Sequence, residues 1–191
     1  MLLRVFSNAI LPVLLLSSLA ANVLLTHRVR ADEDILSRSH GLVPGDVIPT
    51  VNVKLENGSP SQLKWNDASM TVLYYFDPHC SWCLRNGSLL RTVVAHLDTN
   101  TKVYAYTATL TGLEEFRRQT NLAVPVITDD HDDLRKLLKL NGTPQTLLVD
   151  NRGSVIKNWS GAYTGPVATD VQRFFHASLP PLPERSVLRE Q

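Results

Sequence analysis

The sequence predicts an α/β domain: a mixed central sheet with helices on both faces. Three observations carry that expectation. "MTVLYYF", Met70 to Phe76, is a nearly continuous apolar run rich in β-branched and aromatic residues, the pattern of a strand buried on both faces. Segments of helical and strand character alternate after it, which calls for parallel crossovers. The stretch "TLLVDNRGSVIKNW" is two strand-like runs joined by Asn-Arg-Gly, which reads as an antiparallel hairpin.

Taken in order, "ADEDILSRSHGLVPGDVIPT" is polar and punctuated by Pro44, Gly45 and Pro49, so it reads as a linker entering the domain. In "VNVKLENGSPSQL", Val51, Val53 and Leu55 alternate and Asn57-Gly58 follows, giving a strand and then a turn. The apolar strand Met70–Phe76 comes next, ended by Asp77-Pro78. From Ser81 to Leu97 the apolar positions Leu84, Leu89, Leu90, Val93, Val94 and Leu97 fall at helical spacing. Gly87 interrupts that helix and marks either a kink or a close backbone approach. "KVYAYTATL" is a strand, "GLEEFRRQTNL" a short helix and "VPVIT" a small strand. "HDDLRKLLKLNG" opens with acids and reaches Asn141-Gly142, as dipole and C-cap preferences predict for a helix. The hairpin follows, and then a last helix in "GPVATDVQRFFHASL" with Pro166 in its first turn. "PPLPERSVLREQ" is expected to be a disordered tail. The chain has no internal repeat or low-complexity tract.

The 191 residues suffice for one domain with a full core plus attached segments. A net charge of +1, with 19% charged residues, gives no electrostatic reason to expect a nucleic acid partner. Two cysteines cannot build a disulfide framework. At the N-terminus, Arg4 precedes a run from Val5 to Leu25 without a charge. As a helix that run would be about 31 Å long, near the thickness of a bilayer core. Ser18-Leu19-Ala20 is a small-x-small pattern open to signal peptidase, yet the apolar run continues through Val23-Leu24-Leu25, which favours an uncleaved anchor. Arg28 and Arg30 lie on the far side, so charge alone does not orient the segment. The expected organisation is an anchor or signal peptide over 1–27, a linker over 28–43, a domain over 44–179 and the tail over 180–191.

Chemistry concentrates in "YYFDPHCSWCLRN", which holds Cys80 and Cys83. Cys80 lies just past a buried strand, in the first turn of a helix, where free N–H groups and the helix dipole favour thiolate over thiol. Cys83 is one turn along, within reach for a disulfide, and Cys-x-x-Cys beside a βαβ pattern is the form of a redox dithiol. A zinc site would need two more ligands at suitable spacing; His79 is adjacent, but His27, His40, His96, His131 and His176 are scattered singly. No metal and no cofactor beyond the dithiol itself is expected. "DDHDD" at 129–133 reads as helix-start acids. Trp65, Trp159 and Tyr163 read as core or rim aromatics, and there is no Gly-rich phosphate loop or nucleophilic serine motif.

The run "FDPHCSWC … NGTPQTLLVDNRGSVIKNWSG" resembles the thioredoxin superfamily, in particular its membrane-anchored extracytoplasmic redoxins of the TlpA-like and ResA-like kind. The likeness extends from about Pro44 to Leu179, and "VPGDVIPTVNVKLENGSPSQL" looks like the extra N-terminal hairpin of those redoxins. The resemblance implies a thioredoxin-like fold with that hairpin extension. It also implies a cis peptide between Thr143 and Pro144, packed against the dithiol, with Thr143 presenting backbone to a substrate strand. The implied activity is a thiol–disulfide oxidoreductase tethered on the periplasmic side of the inner membrane. Its partners would be a disulfide-containing protein substrate (apocytochrome c or another secreted protein) and a membrane electron donor or an acceptor thiol protein.

Departures from the family pattern bear on mechanism. His79, not Trp, precedes the first cysteine, and Trp82 lies inside the motif, so "DPHCSWC" is closer to periplasmic disulfide isomerases of the DsbC type. Tyr74 stands where thioredoxins bury an Asp, and Asn86 where the ResA-like branch has a Glu. Asp77 is a substitute base or a strand-ending turn residue. His79 is a thiolate stabiliser or a solvated loop histidine. Trp82 is an apolar patch for substrate or packs on a neighbouring loop. Two other activities fit less well. A redoxin-class thiol peroxidase would need Thr where Asp77 stands. A non-catalytic binding module would keep Cys80–Cys83 as a structural disulfide and bind through the Pro144 surface.

Overall fold

The strand Met70–Tyr75 is hydrogen-bonded on both sides and closed in on both faces, as its unbroken apolar sequence requires. Around it the computed structural model, which describes residues 14–26, 41–129 and 133–184, builds a seven-stranded sheet. The chain divides into two units, Met1–His40 and Gly41–Gln191.

In the first unit, residues 14–26 form a helix, α1, whose leucines at 14, 15, 16, 19, 24 and 25 are exposed. Among the described residues no helix is long and apolar enough to cross a membrane. The rest of the uncharged run, Arg4, Arg28, Arg30, and the linker up to His40 lie outside the described residues. So do 130–132, with His131, and 185–191.

The second unit runs β1 (Val51–Leu55), β2 (Pro60–Leu63), β3 (Met70–Tyr75), α2 (Ser81–Ala95), β4 (Thr101–Thr107), α3 (Leu113–Thr120), β5 (Val126–Thr128), α4 (Asp133–Leu137), β6 (Gln145–Asp150), β7 (Val155–Ser160) and α5 (Gly165–Phe175). The sheet order is β2-β1-β5-β4-β3-β6-β7. β3, β4 and β5 are mutually parallel, and every other pairing is antiparallel. Alternation along β3 divides the core, as strand geometry demands. Val72 and Tyr74 join residues of α2, α3 and α5 in one cluster. Leu73 joins Tyr106, Leu147, Leu134 of α4 and Leu138 in the other.

The hairpin extension is present. Its turn uses Gly58 at φ +79°, and the Asn57 carboxamide oxygen accepts the Ser59 N–H at 3.0 Å. β2, absent from the element order read from sequence, is the second arm, and β1 docks the hairpin on β5 through Lys54↔Thr128 and Leu55↔Ile127. Residues ahead of the expected boundary at Pro44 are docked too: Leu42 is buried and its carbonyl accepts Asn158 Nδ2 at 2.7 Å.

Two elements differ from their sequence patterns. The helix expected up to Asn141-Gly142 ends at Leu137, and Lys139 takes a left-handed conformation at φ 48°. Leu134, Leu138 and Leu140 are all buried; the first two share a helical face, but Leu140 would point away from it, so burying all three requires leaving the helix. The strand after α4 is also no parallel crossover. β6 runs antiparallel to β3, with Gln145 opposite Tyr75, so its first residues lie beside the last residues of β3. That reversal positions the site.

Candidate active site

The turn after β3 is built by Asp77. Its carboxylate accepts the His79 N–H at 2.7 Å and its carbonyl accepts the Cys80 N–H at 3.0 Å. Cys80 is thereby set in extended conformation as the N-cap of α2 (φ −75°, ψ 115°). Its carbonyl accepts the first helical bond, from Leu84 N at 3.1 Å, and its sulfur accepts the Cys83 N–H at 3.4 Å. A sulfur in the N-cap position satisfies one of the helix's free donors, as an Asp or Ser oxygen would.

The two cysteines are unlike. Cys80 is partly exposed and Cys83 is fully buried; both are free thiols. Burial first, and then the hydrogen bond with Cys80, pushes the Cys83 thiol far up. An accessible sulfur at a helix N-terminus over a protonated, buried partner is the arrangement of an attacking and a resolving thiol.

The antiparallel start of β6 delivers the second wall. Thr143–Pro144 is a cis peptide, as the resemblance implies, and the Thr143 carbonyl accepts the Cys80 thiol at 3.7 Å. Pro144 is buried and its carbonyl accepts Gly161 N–H at 2.8 Å, which ties this loop to the end of β7.

The remaining residues singled out in the motif lie around the sulfurs. Trp82 is 47% exposed, with the Arg85 guanidinium 4.7 Å from its ring centroid. Arg85 Nε in turn donates to the Pro183 carbonyl at 2.5 Å, and Leu182 packs on the core, so the segment expected to be a disordered tail begins docked. His79 is exposed, its ring so close to Gly112 that a Cβ there would stand 2.9 Å from Cε1. Asp77 spends one carboxylate oxygen on the turn. Among the described residues no three His, Cys, Asp or Glu side chains are placed to hold a metal.

Beneath the dithiol lies a polar layer that reading by motif left unassembled. Tyr74 Oη donates to the Cys83 carbonyl at 3.4 Å, and Asn86 Nδ2 donates to Tyr74 Oη at 3.5 Å. The Asn86 carboxamide oxygen accepts Tyr163 N–H at 2.7 Å, and Tyr163 Oη pairs with Thr146 Oγ1 at 2.8 Å. Tyr74, Asn86, Tyr163 and Thr146 are all buried. Burial, and then the nearness of Cys83, drives the Tyr74 hydroxyl well above its ordinary range, so it stays protonated. A signal was present in the sequence: Asn86 interrupts the apolar stripe of α2, where an amide needs buried partners.

No protein-family model matches the sequence, and a search of curated proteins finds no match. Solved structures do match. The thioredoxin domain of a thiol-disulfide oxidoreductase from Bacteroides vulgatus superposes with TM-score 0.56 at 19% identity, covering 70% of this chain and 99% of that one. A thiol:disulfide interchange protein from Bacteroides sp. gives 0.55 at 20% identity, over 71% of this chain and 91% of its own. The peroxidoxin BcpB from Mycobacterium tuberculosis gives 0.57 at 11% identity, over 70% and 96%. This chain has the thioredoxin-like redoxin fold, with a close Cys80/Cys83 pair at the start of α2.

Proposed function

We propose that this protein is a thiol–disulfide oxidoreductase acting on protein disulfides. The observation that carries the reading is the asymmetric pair: Cys80 partly exposed at the helix N-cap against the Thr143 carbonyl, and Cys83 buried one turn below. In the reducing direction the Cys80 thiolate attacks a substrate disulfide. A mixed disulfide forms and one substrate thiolate leaves. Cys83, after losing its proton, attacks Cys80 Sγ; the Cys80–substrate bond breaks and the second substrate thiolate departs. Two electrons pass from the dithiol to the substrate, and the reverse sequence oxidises a dithiol. Trp82 and Thr143, next to the buried Pro144, form the surface that a substrate chain meets, with His79 and Asp77 in the adjoining turn.

The same proposal places the domain on the extracytoplasmic side of a membrane, held by the N-terminal segment and exchanging electrons with a membrane donor or with an acceptor thiol protein. Its support is the uncharged run Val5–Leu25 and the exposed leucines of α1. Secreted proteins, apocytochrome c among them, are the substrate class this location implies.

Cys83→Ser is expected to accumulate a covalent adduct with protein substrates, visible on non-reducing gels, and Cys80→Ser to form none. Wild type that neither reduces insulin nor yields an adduct through Cys83→Ser would refute the oxidoreductase. Turnover of peroxide in place of insulin would make it a thiol peroxidase.

A further inference from the structure

Among the described residues, the groups that bear on Cys83 in the mixed disulfide, where Cys80 is bonded to substrate, are uncharged. From β3 it faces Tyr74, whose hydroxyl reaches its carbonyl. From the loop after β3 it faces the Asp77 backbone, from its own helix Cys80, and from the loop before β6 the Thr143 hydroxyl. Below, Asn86 bonds Tyr74 at 3.5 Å, and the Tyr163 backbone fixes the orientation of Asn86 at 2.7 Å. With its carboxamide oxygen taken by Tyr163 N–H, Asn86 can only turn its NH₂ toward Tyr74. Every hydrogen bond in this layer joins neutral groups, and burial keeps Tyr74 protonated. The titratable side chains nearby, Asp77 and the exposed His79, belong to the turn before the helix.

We infer that resolution of the mixed disulfide proceeds without a buried base, Cys83 giving its proton to solvent base while Tyr74 and Asn86 act as positioning residues that hold its turn of α2. This rests on the oxidoreductase reading. The step balances with solvent alone: hydroxide takes the Cys83 proton, the Cys83 thiolate attacks Cys80 Sγ, the Cys80–substrate bond breaks, and the substrate sulfur leaves as thiolate. Its rate follows the thiolate fraction of Cys83, which rises about tenfold per pH unit below that thiol's pKa. Because burial sets that pKa high, the rise continues through the whole neutral range.

The test uses the full chain in detergent micelles and a substoichiometric aromatic disulfide, 5,5′-dithiobis(2-nitrobenzoate), read by absorbance from pH 6 to pH 9. The first released thiol reports attack by Cys80, and the second reports resolution by Cys83. The second phase is expected to climb about tenfold per pH unit with no plateau; a plateau or inflection below about pH 8 means a resident base and overturns the inference. Asn86→Asp places a carboxylate between Tyr74 and Tyr163. It should introduce that inflection and speed the second phase at pH 6 at least tenfold, whereas an unchanged profile in a folded variant overturns the inference. Tyr74→Phe guards against a misfolded acid variant: it keeps the layer neutral, so the slope should persist while the absolute rate changes, and a changed slope overturns the inference. Absence of even the first phase removes the oxidoreductase reading and this inference with it.

Discussion

Replacing Gly87 with alanine sets two known effects of opposite sign against each other. Glycine inside a helix costs about 1 kcal/mol relative to alanine, so in open space the substitution would stabilise α2 by that amount. The space is not open. A Cβ at Gly87 would lie 2.4 Å from Thr120 Cγ2, 2.8 Å from Thr120 Cβ and 3.5 Å from Phe116 Cζ. Thr120 cannot swing aside, because it is buried and its Oγ1 donates to the Phe116 carbonyl at 2.8 Å. Overpacking of this kind costs about 1–3 kcal/mol, and with two contacts inside 3 Å the upper part of that range applies. The expected net effect is a loss of about 1–2 kcal/mol. In urea, with a slope of about 2 kcal/mol per molar, the midpoint should fall by roughly 0.5–1 M. Thr120→Ser removes Cγ2 and keeps the hydroxyl bond, so in the Gly87→Ala background it should recover about half the loss, a coupling near 1 kcal/mol in a double-mutant cycle. Gly87→Ala equal to or more stable than wild type would refute the argument that close approach of α2 to α3 is what demands a glycine here.

Two further outcomes follow from the geometry. The Asp170 carboxylate accepts Lys157 Nζ at 2.9 Å and Trp159 Nε1 at 2.8 Å, and these bonds, Lys157 foremost, hold its pKa below the ordinary carboxylate value. A lowered folded value means stability present above the unfolded value of about 3.9 and lost as pH falls through the folded one. Asp170→Asn should therefore lower the stability read from urea unfolding at pH 6, by no more than about 1 kcal/mol for so exposed a pair, and the gap should close toward pH 3; a gap independent of pH would contradict the assignment. Arg85→Ala removes the cation from Trp82 and releases the Pro183 carbonyl. At about 0.5–1 kcal/mol for an exposed cation–π contact, KM for insulin should rise roughly two- to fivefold, and an unchanged KM would mean that Trp82 does not need Arg85 to meet substrate.

What the sequence made legible was local in character. β3 announced itself by composition, the hairpin turn by Asn57-Gly58, and the dithiol by its place between a strand and a helix. The direction of β6 was not legible. Alternating strands and helices point to a parallel crossover, whereas β6 pairs antiparallel with β3, a long-range pairing that local pattern does not encode. Residues 180–184 read as part of a disordered tail because their anchors, Leu182 on the core and Arg85 bonding Pro183 from far upstream, are contacts that composition does not encode.

Gly87 shows the limit most clearly, since its neighbours alone could not decide between a kink and a close approach. The decision lay in Thr120, on another helix. Tyr74 and Asn86 were visible one at a time, each standing where the resemblance to thioredoxins and ResA-like redoxins leads one to expect an acid. Two missing acids need not be related, but here the residues in their places bond each other under the same cysteine. The two departures therefore meet in one hydrogen-bonded layer. In this layer the resolving thiol is held by shape and hydrogen bonds, with no opposing charge to draw its proton.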